Sequence, residues 1–195
     1  MMLISGGSNV YRRLGAADTG AFLRAEANRE QISNLRKAAI DWPLHSAAAM
    51  RLASEDDIPA LASIYRREPV RYVRSVSDFR ELFWRQHDVK RLGSLERTWV
   101  GGLVRDSLAY VIARIRTADD GAVRVHVAEF AGARWCALQL IAHACAEYDP
   151  DMLTITMSAS DLELATLLHQ AGLTLHRVGL LGHTVMSLDD RALVK

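Results

Sequence analysis

Two cysteines in 195 residues are too few for a disulfide framework. Cys136 and Cys145 fall on one expected helix, too far apart along it to bridge each other. Both read as small core residues in a chain suited to a reducing cytoplasm. An excess of either charge is missing too. Lys and Arg number 24 against 23 Asp and Glu, a formal net charge of +1, which argues against a dedicated nucleic-acid or acidic-lipid binder. Arginines do gather at Arg66, Arg67, Arg71, Arg74, Arg80 and Arg85; they read as solvated helix faces pairing with Glu68, Asp78 and Glu81. No apolar run approaches a membrane span, and Met1-Met2-Leu3-Ile4 is too short, and lacks the basic lead, for a secretory signal. His126, His143, His176 and His183 show no metal-ligand spacing. The expectation is a cytoplasmic protein without nucleic acid, membrane or metal.

Half of the residues are apolar, enough for one good core with an appended piece. The clearest organisation runs from Val123 to Leu173. VRVHVAEF alternates and is β-branched, as a half-buried strand requires. ARWCALQLIAHACAEY sets Ala133, Cys136, Ala137, Leu140, Ile141 and Ala144 near one helical face. Asp149-Pro150-Asp151 stops that helix. MLTITMSAS is a second strand; Ser160 or Asp161 can cap the helix DLELATLLHQAG, which Gly172 closes. Two strands joined by a helical crossover are normally parallel, and ligands tend to sit beyond their carboxyl ends.

Elsewhere, residues 1–16 read as a strand end, a Gly6-Gly7 turn and one helical turn ending at Gly15. FLRAEANREQISNLRKAAI, within 17–49, reads as a surface linker helix with sparse apolar residues. MRLA is a short strand, and Ser54-Glu55-Asp56-Asp57 opens a helix with the apolar stripe Ile58, Leu61, Ile64 and Tyr65. A helix over 77–87 carries Phe79, Leu82, Phe83 and Trp84. Trp99–Leu103 and Leu108–Ile115 form a hairpin, and LTLHRVG and HTVMSLD are closing strands.

This order, with RLASEDDIPALASIY, GGLVRDSLAYVIARI, AEFAGARWCALQLIAHACAE and LATLLHQAGL, resembles the GCN5-related N-acetyltransferases from Met50 to Asp189. The resemblance implies an α/β fold of the acyl-CoA N-acyltransferase type, a central mixed, mostly antiparallel sheet flanked by helices. ISGGSNVYRRLGA resembles the end of a further such domain, since some bacterial members carry two lobes in tandem; a frayed terminus is the alternative. The division expected is an N-terminal arm, 1–49, and an acetyltransferase-like domain, 50–195.

The resemblance implies transfer of an acetyl group from acetyl-CoA to a small-molecule or protein amine in a ternary complex. Its pyrophosphate loop matches Glu129-Phe130-Ala131-Gly132-Ala133-Arg134, where free amides and a helix dipole favour an anion. Val127, Gly132, Ala133, Arg134 and Ser158 are the candidate cofactor contacts. Glu129 departs from the family's amide or cation, and Arg134 from its small residue. Glu129 is a candidate general base for the incoming amine; a surface glutamate, or one bonded to Arg134, is the plain alternative. The family's acid, a tyrosine four residues before a glycine, matches Tyr11 before Gly15, whereas Leu168 stands before Gly172. Against the enzyme reading stands a non-catalytic lobe that packs on an upstream partner lobe or a second copy as a homodimer, or binds a small ligand.

Overall fold

The computed structural model describes residues 2–5, 17–18, 22–41, 49–69, 71, 73–88, 94–103, 106–178 and 183–186. Along the chain these form β1 (Met2–Ser5), β2 (Ala17–Asp18), β3 (Phe22–Asn28), α1 (Arg29–Asp41), β4 (Ala49–Leu52), a 3-10 turn at Glu55–Asp57, α2 (Ile58–Tyr65) and α3 (Val76–Asp88). There follow β5 (Ser94–Leu103), β6 (Asp106–Thr117), β7 (Val123–Gly132), α4 (Arg134–Tyr148), β8 (Met152–Ser158), α5 (Leu162–Gln170), β9 (Leu175–Val178) and β10 (His183–Met186).

Seven strands make one sheet in the order β4-β5-β6-β7-β8-β3-β9; β1, β10 and β2 make another. Within the large sheet β7 and β8 are parallel and the other neighbours antiparallel. The mixed α/β sheet flanked by helices is therefore the one the resemblance implied. One face carries a core of Trp99, Val111, Val125, Val127, Leu138, Leu140, Ile141, Leu153 and Ile155. The other packs Ile58, Leu61, Tyr65, Phe79 and Phe83 onto Val100, Tyr110 and Ala131.

The stretch expected as a surface linker helix is corrected at both ends. Phe22–Asn28 is a strand, paired along its length with β8 and over four residues with β9. Leu, Arg, Ala and Glu favour a helix in isolation, but two flanking strands supply the ladder that overrides that preference. The strand turns into helix at a reciprocal cap: the Gln31 N–H donates to Asn28 Oδ1 at 3.0 Å, and the Asn28 N–H donates to Gln31 Oε1 at 3.1 Å. α1 is no exposed connector. It buries Ile32, Leu35 and Ala39 and holds α4 through Gln139, whose Nε2 donates to the Ala39 carbonyl at 3.2 Å. Both closing strands form as expected: β9 pairs with β3 at the edge of the large sheet, and β10 joins β1 and β2.

The rest follows the sequence closely. Asp149 takes a left-handed conformation (φ 42°) as α4 ends before Pro150. Asp161 caps α5, accepting the Leu164 N–H at 3.1 Å, and Gly172 (φ 81°) closes it. At the front, Asp57 accepts from the Ser54 N–H at 2.7 Å and from both Arg51 terminal nitrogens at 2.7 Å. Phe79 and Phe83 are buried as expected, whereas Leu82 is exposed and the Trp84 side chain lies outside the described residues.

Candidate functional site

β7 and β8 run paired from Arg124↔Met152 to Val127↔Ile155, and there the pairing stops. β7 continues to Gly132 and β8 to Ser158, so the two strands part toward their carboxyl ends. The cause lies in β7. Ile112 of β6 faces Glu129 but Ala113 faces Val127, leaving Ala128 as an extra residue. A bulge of this kind bends its strand and exchanges the faces of the residues beyond it. Without it Glu129 would share the α4 side with Val127. With it Glu129 joins Tyr110 and Ala131 on the α2–α3 side.

There Glu129 is held from two directions. Tyr110 Oη donates to Glu129 Oε1 at 2.6 Å, and Arg74 Nη1 donates to Oε2 at 2.6 Å. Arg74 lies over the Tyr65 ring, 4.6 Å from its centroid, and its side chain is 19% exposed. Grouped by sequence with solvated arginines, Arg74 is instead the positive member of a half-buried cluster. Burial opposes its charge, but the neighbouring Glu129 more than offsets this and raises its pKa. Burial, then the Glu129 charge, pushes the Tyr110 hydroxyl far above the ordinary phenolic range, so it stays a proton donor. Both oxygens of the Glu129 carboxylate are thus committed to strong donors within the chain.

The turn at the head of α4 is occupied in the same way. The Gly132 N–H donates to Glu68 Oε1 at 2.8 Å. Arg134 Nη1 and Nη2 donate to the two oxygens of Glu68 at 2.8 and 2.7 Å, and Nη1 also reaches the Gly132 carbonyl at 2.9 Å. Arg134 Nε lies 2.7 Å from Asp161 Oδ2. These three side chains are only 12–13% exposed. Burial alone would raise the Glu68 pKa, yet Arg134, the Gly132 amide and the charge of Arg71 hold it below the usual range. The hydrogen bond to Glu68 chiefly raises the pKa of Arg134. The Ala133 N–H donates to the Leu108 carbonyl at 3.0 Å.

Gly132 itself has φ 96°, and a Cβ there would sit 2.1 Å from the Leu108 oxygen and 2.8 Å from Ala109 Cα. Close packing of β7 on β6 thus explains this glycine without a ligand. Val127 is 2% exposed, its side chain in the core. Ser158 Oγ pairs with Ser160 Oγ at 2.7 Å in the turn before α5. Leu168 is fully buried, His169 is exposed, and Tyr11 lies outside the described residues. Cys136 and Cys145 are buried, and burial pushes their thiols up to about 11 and about 12, which makes them inert. No cluster of potential metal ligands occurs among the described residues, and no helix among them is long and apolar enough to cross a membrane.

The structure therefore brings Gly132, Ala133 and Arg134 together at the parting and sends Glu129 to a separate cluster. It does not fit the pyrophosphate of acetyl-CoA at Gly132, because a carboxylate already takes the amide that a phosphate oxygen would need. Sequence reasoning missed Glu68, Arg74 and Tyr110 as partners. Each reaches its partner from a distant element, and no local spacing announces it. A cavity of about 570 Å³ lies away from this turn, toward the amino ends of β7 and β8, beside Arg116, Arg124, His126 and Thr154.

No family model and no curated protein matches the sequence. Several solved structures resemble the fold. A GCN5-related N-acetyltransferase from Anabaena variabilis ATCC 29413 superposes with a TM-score of 0.62 at 14% identity, covering 90% of this chain and 44% of that one. A conserved protein from Enterococcus faecalis V583, described as a probable N-acyltransferase, gives 0.57 at 14% identity over 93% of this chain and 43% of its own. A tandem GNAT protein from the clavulanic acid biosynthesis pathway gives 0.56 at 9% identity, over 91% and 63%. The chain spans less than two thirds of the length of each.

Proposed function

We propose that this chain, which has the fold of the GCN5-related N-acetyltransferases, is a closed acetyltransferase-like lobe that packs against a second lobe and holds no acetyl-CoA at Gly132. One observation carries the reading. The Glu68 carboxylate sits on the Gly132 amide with Arg134 clamped across both its oxygens, so the turn supplies its own anion. Arg134 also spans the parted strands to reach Asp161, and Glu129 is fully engaged by Arg74 and Tyr110.

The parting of β7 and β8 past Val127 favours a second reading, acetyl transfer from acetyl-CoA to an amine by this lobe itself. It requires Glu68 to vacate the Gly132 amide and Glu129 to leave two strong donors.

Isothermal titration separates the two. The closed-lobe reading expects no heat from acetyl-CoA at millimolar concentration. Saturable binding in the micromolar range, weakened by Arg134→Ala, would overturn it in favour of the enzyme.

A further inference from the structure

The cavity toward the amino ends of β7 and β8 is built on a block of like charges. Arg114 and Arg116 of β6 alternate with buried Ala113 and Ile115, and Arg124 and His126 of β7 alternate with buried Val125 and Val127. The register sets Arg114 opposite His126 and Arg116 opposite Arg124. Three guanidiniums and an imidazole therefore share one face of the hairpin, two by two. Residues directly opposite each other stand roughly 5 Å apart at Cβ, where like charges repel.

The chain answers these charges unevenly. Glu96 of β5 lies opposite Arg114 and accepts from its Nη2 at 3.0 Å. Asp120 Oδ2 is 3.8 Å from Arg124 Nη2, beyond hydrogen-bond reach, while Oδ1 accepts the Ala122 N–H at 3.0 Å. Arg116 has Arg124 across the ladder on one side and the neutral Ser94 on the other. His126 registers the field: burial, then the charges of Arg114 and Arg24, hold its pKa below the ordinary histidine value. The block is open to solvent, with the Arg114 and Arg124 side chains 50% and 54% exposed.

The same cavity carries the opposite sign on another wall, Asp119 and Asp120 in the turn that joins β6 to β7. Met152, 42% exposed, adds an apolar surface. At about 570 Å³ the volume suits a small molecule.

We propose that this cavity binds a free amino acid with an apolar side chain, its carboxylate between the Arg116 and Arg124 guanidiniums, its ammonium on Asp119 and its side chain against Met152. A carboxylate in that place relieves the repulsion across the ladder and matches the forked donors of arginine. A polyphosphate would meet Asp119 and Asp120 as like charges, so the mixed walls select a ligand that carries both signs.

The test is an amide NMR titration of the 195-residue chain with L-leucine. Saturable shifts are expected at the amides of Arg116, Asp119 and Arg124, with a dissociation constant in the millimolar range or below. N-acetyl-leucine, which lacks the cation, and leucinamide, which lacks the carboxylate, are each expected to bind on the order of tenfold more weakly. Arg116→Gln and Asp119→Asn, both at exposed positions, are expected to weaken leucine to the same degree while keeping a dispersed spectrum. The absence of saturable shifts at tens of millimolar leucine overturns the proposal. So does binding that Arg116→Gln leaves unchanged, and so does N-acetyl-leucine binding as tightly as leucine. Failure of the closed-lobe reading would show itself as acetyl-CoA binding at Gly132, the other end of β7, and would leave these measurements unchanged.

Discussion

Arg134 and Asp161 meet across the gap between two parted strands, with Arg134 Nε 2.7 Å from Asp161 Oδ2. The other oxygen of Asp161 accepts the Leu164 N–H at 3.1 Å and caps α5. One carboxylate therefore serves a helix end and a tie between the turn after β7 and the turn after β8. Replacing Arg134 by Met leaves Glu68 and Asp161 half-buried and without their shared cation. Loss of one member of such a buried group costs about 3–5 kcal/mol, so Arg134→Met is expected to lower the denaturant midpoint sharply with little change in slope. A midpoint equal to the parent's would mean that the three groups are solvated.

Glu68→Ala removes the carboxylate from the Gly132 amide while Arg134 keeps its contact with Asp161. The freed amide and guanidinium together are an anion site. Inorganic pyrophosphate is expected to bind this variant and not the parent, as read by calorimetry and by a rise in melting temperature with pyrophosphate concentration. If both proteins bind equally, Glu68 is not what occupies the turn.

A Cβ at residue 132 would press on backbone atoms of β6 in a left-handed conformation. Gly132→Ala is expected to cost about 3 kcal/mol or more from strain and displacement combined. The loss should appear in thermal melts of the chain without any ligand, because the constraint comes from β6. A protein that melts normally yet differs only in ligand binding would return this glycine to a role in recognition.

Asp57 supplies an acid-sensitive part of the stability. The hydrogen bonds from Arg51 chiefly, and those from Ser54, hold its carboxyl down at about 2 against the opposing effect of burial. A depressed folded value stabilises above the unfolded value, near 3.9, and the contribution fades as pH falls toward the folded one. Asp57→Asn is therefore expected to be less stable than the parent by about 1–2 kcal/mol near neutrality. The gap should shrink between about pH 4 and pH 2. Urea midpoints of both proteins across that range check the sign, and a gap that widens in acid would refute it.

Local signals carried much of the architecture. The alternation of VRVHV, the stop at Asp149-Pro150, the Asp161 cap and the closing Gly172 act within a few residues, and each stands where the chain indicates. Long-range pairing was less legible. FLRAEAN has the side chains of a helix and becomes a strand because β8 and β9 flank it; only the Asn28–Gln31 reciprocal cap marks locally where helix begins. The site shows the same division. Gly132, Ala133 and Arg134 fall together because they are neighbours, while the residues that decide their chemistry, Glu68 and Asp161, arrive from separate turns. The fate of Glu129 turned on the single extra residue at Ala128, which no pattern in VRVHVAEF announces.

The insertion of β3 between β8 and β9 bears on how the gene can be cut. A truncation starting at Met50, where the motif-bearing region begins, would delete a strand from inside the sheet and strip Ile32 and Leu35 from the core behind it. β8 and β9 would be left facing an empty lane, each with a bare backbone ladder. Such a fragment invites aggregation, so the workable boundary for any shortened version lies ahead of Phe22.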